Sequence, residues 1–174
     1  MSNQYVRFRV RDETSLASVE RVVQLFREEA KSEKKRTDEE WKALFKALFN
    51  EQSLKYFWWP SAEELEEWKA LWLGTHYTKR HLLPRTRWHF GSFIETVRTN
   101  EWELLGVKRL PDGQAEIEFM SYSYPFGGTD CLVALAEAFG NEVIERDDGT
   151  GPLPYEKVKQ YWQPKSKGRS CNAQ

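Results

Sequence analysis

All three histidines of the chain, His76, His81 and His89, fall within residues 74–91, GTHYTKRHLLPRTRWHFG, together with Lys79, Arg80, Arg85 and Arg87 and no acid. Three kinds of chemistry use such a set. A metal needs imidazoles that converge, but His76 and His81 are five apart, which on a helix sets them on different faces, and Pro84 breaks any continuous helix between them and His89. No Cys or Asp cluster completes a ligand set, so no metal and no cofactor is expected. A general acid–base pair needs His81 or His89 beside a carboxylate brought from elsewhere in the fold. Binding of an anion or an acidic partner needs only that Arg80, His81, Arg85, Arg87 and His89 share a surface, with Trp88 as a flat contact beside them.

A second aromatic group precedes this stretch. KYFWWP, residues 55–60, places four consecutive rings, and no strand or helix hides four successive side chains on one side. Trp58 and Trp59 are therefore expected to contribute to a contact surface, since Trp brings large area with little rotamer entropy. A third feature is YPFGGTD, residues 124–130. Gly127, Gly128 and Thr129 turn a strand into a helix and can aim free N–H groups at an anion. The spacing of a P-loop is absent, and Asp130 sits where a phosphate would be repelled. The sequence leaves the peptide isomer before Pro125 open.

Charge narrows the class. The net charge is −1, unlike that of a dedicated nucleic-acid binder, but it is segregated: residues 37–67 carry eight acids and three lysines, residues 68–94 five Lys/Arg and no acid. The strand-like run AEIEFMSY has glutamates where an RNA platform wants basic or aromatic groups. Cys131 falls in an apolar helical run and Cys171 near the end, with no metal or disulfide spacing. The opening MSNQYVRFRV has charges where a signal peptide needs an apolar run, and no eighteen-residue apolar stretch occurs. The expected setting is cytoplasmic and away from membranes.

The elements that must hold these residues follow from periodicity. Val6, Phe8 and Val10 alternate with Tyr5, Arg7, Arg9 and Arg11, the pattern of a strand with one buried face. Leu16, Val19, Val22, Val23 and Phe26 recur at helical steps, with Thr14 or Ser15 as the expected N-cap. Thr37 with Glu40, and Ser61 with Glu64, form capping boxes ahead of two amphipathic helices. Residues 102–110 and 114–124 read as strands joined by the turn Pro111-Asp112-Gly113. A helix over 130–139 ends at Gly140, and 141–146 is a closing strand.

Without the inserted helices the order is β-α-β-β-α-β, which resembles the ferredoxin-like split βαβ fold: a four-stranded antiparallel sheet with helices on one face. The rival is a mixed α+β sheet of another strand order. In the split arrangement the first strand lies antiparallel to the third, and Arg7, Arg9 and Arg11 share a face with Glu116, Glu118, Met120 and Tyr122. The expected organisation is one α+β domain over 1–150, a helical insertion at 37–74, and a polar tail at 151–174. The expected function is a binding module that meets a protein or small anionic ligand through the Trp-rich insertion and segment 76–90, with a homo-oligomer possible. The alternatives are a small enzyme with a His/carboxylate pair and a weak single-stranded nucleic-acid binder.

Overall fold

The computed structural model describes residues 4–83, 88–99, 102–122 and 129–156. Its architecture is α+β with a five-stranded antiparallel sheet, one strand more than the periodicity predicts. β1 (Gln4–Arg9) buries Val6 and Phe8 completely and turns Tyr5 and Arg7 the other way. It pairs with β5 (Gln114–Ser121) on one side and β6 (Glu142–Asp147) on the other. β4 (Trp102–Leu110) forms a hairpin with β5, and β7 (Leu153–Pro154) adds to β6, giving the order β4-β5-β1-β6-β7. The extra strand was illegible because a two-residue strand has no period; its partner β6 defines it.

The hairpin turn matches its residues. Asp112 and Gly113 both take positive φ, 60° and 69°, conformations that Asp tolerates and Gly adopts freely.

α1 (Glu13–Lys31) lays Leu16, Val19, Val22, Val23 and Phe26 on the sheet. Its N-cap is Asp12, not Thr14 or Ser15: the Asp12 carboxylate accepts from the Ser15 N–H at 2.7 Å, and the Ser15 hydroxyl returns a bond to the cap. Ser15 is the third helical residue of a capping box, so a carboxylate displaces a hydroxyl as the terminal acceptor. α6 (Thr129–Ala138) is almost wholly buried beside β1 and β6.

The insertion contains three helices rather than the two expected. α2 (Asp38–Leu48) and α4 (Ala62–Gly74) start at the foreseen caps Thr37 and Ser61, while α3 (Glu51–Tyr56), capped by Asn50, sits between them. α3 is tied to the end of α6, where the Ser53 hydroxyl donates to the Ala138 carbonyl at 2.7 Å and the Tyr56 hydroxyl to Glu137. β2 (Phe57–Trp58) pairs in parallel with β3 (Trp88–His89), and α5 (Phe90–Arg98) follows directly.

Aromatic rings bind this lobe to the sheet layer. Phe26 of α1 meets Trp41 at 5.4 Å, Phe45 at 5.7 Å, Phe93 at 5.1 Å and Trp102 at 6.5 Å between centroids. Contacts then run through Phe45, Phe49, Phe57 and Phe90. Each such pair contributes beyond its buried area, so the lobe shares one core with the sheet. At the α1–α2 link, buried Glu29 accepts from the Arg36 backbone N–H at 2.6 Å and its guanidinium at 2.5 Å.

Candidate functional site

Three of the residues that the sequence singles out, Trp58, Arg80 and His89, belong to one chain of ring contacts along the lobe. Trp58 lies between His89 at 5.5 Å and Trp68 of α4 at 6.2 Å; Trp68 meets Trp72 at 6.2 Å; and the Arg80 guanidinium lies over the Trp72 ring at 4.9 Å. Arg80 belongs to a 3-10 helix (Tyr77–Leu82) that doubles back after α4. Its Nε donates to the carbonyls of Trp72 and Thr75, both at 3.2 Å. A cation on the last carbonyls of a helix is favoured by their partial negative charge. Arg80 therefore terminates α4 as well as lending charge to the surface.

The four consecutive rings divide their duties. Phe57 is fully buried, and Tyr56 reaches Glu137. Trp59 stacks on Phe90 at 3.9 Å and donates its indole N–H to the Leu54 carbonyl at 2.9 Å. Trp58 and Trp59 are both half-buried and border an open groove of ≈ 490 Å³ whose rim includes Glu51 and Glu64. The strand β2 explains the split: alternation sends Phe57 into the core and Trp58 toward α4.

The histidines separate. His76 Nδ1 meets the Thr78 hydroxyl at 2.8 Å on the exposed side. His89 caps α5, where its Nδ1 accepts from the Ser92 N–H at 3.3 Å. Burial, together with the fields of Lys42 and Lys69, holds the His89 imidazole below its ordinary range, favouring the neutral form that can accept. Among the described residues neither His76 nor His89 forms an ion pair with a carboxylate. The backbones of His81 and Trp88 are placed, but their side chains, and all of Arg85 and Arg87, lie outside the described residues.

The glycine turn gives one placed residue. Thr129 is the buried first residue of α6, while Pro125, Gly127 and Gly128 lie outside the described residues. Asp130 is joined to Arg146, so its carboxylate serves an ion pair with β6.

What the sequence reading missed is the bareness of α4 itself. None of its thirteen residues is buried, although Leu65, Trp68, Leu71 and Trp72 form an apolar stripe. Beyond it Leu73 is 76% exposed, Tyr77 73% and Leu82 71%. The low amphipathicity of WLG followed by a solvent-facing 3-10 turn was the available signal. No family model, curated protein or solved structure matches the chain. Among the described residues no helix is long and apolar enough to cross a membrane.

Proposed function

We propose that the chain is an interaction module that docks an acidic protein segment on the outer end of its helical lobe. The observation that supports this is the exposed apolar cluster Leu71, Trp72, Leu73, Tyr77 and Leu82, gathered on a helix end and the turn after it. Monomers rarely leave such residues contiguous without a use for them. Lys79 stands among them and makes no ion pair within the described residues, and the sequence from 68 to 94 holds no acid. Trp72 is held by Arg80, so one anchor of the surface is already ordered, which lowers the entropic cost of association. Trp58, Trp59 and His89 extend the same proposed surface toward the lobe's base, and His81, Arg85, Arg87 and Trp88 are assigned to it by their place in the sequence alone.

The same reading treats the sheet as a ferredoxin-like split βαβ arrangement with β7 as an added edge, a view supported by the order β4-β5-β1-β6. It takes the domain as a single α+β unit carrying 37–74 as an insertion, and the pairing of Leu153–Pro154 with β6 carries that unit a few residues past 150. A cytoplasmic setting fits the burial of Cys131 within an apolar helix.

The test is fluorescence anisotropy with a labelled acidic amphipathic peptide of Glu, Leu and Phe. Saturable binding that weakens with salt, and is lost in Leu73→Glu/Tyr77→Glu, is the expected result. Equal binding by that variant removes the apolar anchor, and equal binding by Arg85→Glu/Arg87→Glu removes the basic segment from the contact.

A further inference from the structure

A second surface, away from α4, carries a different chemistry. Between the C-terminal half of α1 and the edge strand β4 lies a cleft of ≈ 400 Å³, within the range of small-molecule sites. Its β4 wall contains a bulge. Leu104 pairs with Phe119 and Gly106 with Glu118, leaving Leu105 unpaired between them. Leu104 and Leu105 both line the cleft at this irregularity, together with Trp102 and Glu103 before it.

The opposite wall is basic. Arg27 and Lys31 are one helical turn apart on α1, and both border the cleft. Neither forms an ion pair among the described residues; the one side-chain bond of Arg27 is to Gln24 at 3.4 Å. The neighbouring acids of α1 are already engaged: Glu20 with Arg109, Glu29 with Arg36, and Glu28 with Gln24. The acid on the rim, Glu103, accepts from the Tyr122 hydroxyl at 2.6 Å. Trp102, also in the lining, is buried, and among the described residues its indole Nε1 has no hydrogen-bond partner. Buried donors of this kind usually have partners.

We infer that this cleft binds a small organic carboxylate, its anionic group held by Arg27 and Lys31 and its apolar body against Ala30, Leu104 and Leu105. A guanidinium presents two parallel N–H groups that match a carboxylate, and Lys31 adds a point charge beside it. The floor offers apolar area, including the Trp102 ring. This site is independent of the docking surface proposed above.

The experiment is a two-dimensional NMR titration of the full-length protein with octanoate, following the Trp102 indole resonance, assigned by its loss in Trp102→Phe. The expected result is a saturable shift, with affinity about ten-fold weaker in Arg27→Gln/Lys31→Gln, as loss of a charge-assisted contact requires. Octanol, which keeps the chain and lacks the charge, is expected to bind wild type and double variant alike. Since neither residue holds an ion pair, the double variant is expected to keep the wild-type spectrum away from the cleft. No saturable shift up to millimolar octanoate, or equal octanoate affinity in the double variant, overturns the assignment. A saturating shift confined to indoles other than Trp102 overturns it as well.

Discussion

Arg7 of β1 and Glu116 of β5 stand opposite one another in register, and the guanidinium gives the carboxylate two hydrogen bonds, of 2.8 and 2.5 Å from Nε and Nη2. Glu116 is only 5% exposed, and Arg7 also reaches Glu145 at 3.0 Å. Replacing Arg7 by Met takes both of these hydrogen bonds from a buried carboxylate, leaving it Lys108 at 3.9 Å, and is expected to cost about 2 kcal/mol. Arg7→Met/Glu116→Leu, which removes both partners, is expected to recover most of that. Urea midpoints of the two variants decide the point: equal losses would show that the pair is not coupled.

Tyr5 belongs to the same network. Burial, and then the hydrogen bond from its hydroxyl to Glu145 at 2.5 Å, push its phenol up to about 12. The folded value lies above the unfolded one, so the stability this group contributes is complete below about pH 10 and is lost as the pH rises through the folded value. An ultraviolet pH titration, taken as the difference from Tyr5→Phe, is expected to show a late step that moves down in Glu145→Gln. No movement in that variant would place the cause in burial alone.

Phe26 joins the sheet layer to the inserted lobe through four aromatic neighbours. Phe26→Ala is expected to cost about 3–5 kcal/mol, the cost of a cavity at a ring-lined site. Unfolding should remain a single transition by both circular dichroism and tryptophan fluorescence. Two separated transitions in the wild type would show instead that the lobe melts on its own.

His89 accepts a hydrogen bond as the cap of α5, which only an unprotonated Nδ1 can do. Its depressed value, caused by burial first and by Lys42 and Lys69 next, means that the unfolded chain takes up the proton first as the pH falls. Stability from this group is therefore complete above about pH 6.5 and is lost as the pH drops through the folded value. His89→Asn keeps a capping oxygen that does not titrate. Urea midpoints are expected to fall more for wild type than for this variant between about pH 7.5 and pH 5.5; parallel losses would assign the acid sensitivity elsewhere.

How much of this was legible depends on how local each signal is. The alternation of Val6 and Phe8 with Tyr5 and Arg7 announces β1, and the glutamates of β5 announce its partner, because both patterns are written within a few residues. Arg9 and Arg11 fare differently. Arg9 pairs with Glu142 on the other neighbouring strand, and Arg11, beyond the strand's end, with Asp12. The capping boxes at Thr37 and Ser61 were readable for the same local reason.

The site was legible only in part. Arg80 is conspicuous in the sequence, but its hold on Trp72 requires the chain to reverse after Gly74, and no spacing rule specifies that reversal. Arg27, Lys31 and Trp102 carry no shared pattern, since their meeting depends on how α1 packs against β4. The short strands β2 and β3 are defined by each other across the excursion, so neither shows a period of its own.

That last pairing has a structural consequence. Because Phe57–Trp58 and Trp88–His89 lie side by side and run the same way, the chain re-enters the body where it departed. Between those points no residue of α4 is fully buried, and the cost of closing a loop grows only slowly with its length. The described stretch from 60 to 83 is thus a cassette that starts at this pairing. If the docking proposed above holds, exchanging it is expected to re-tool what the molecule touches while leaving the framework that carries it intact.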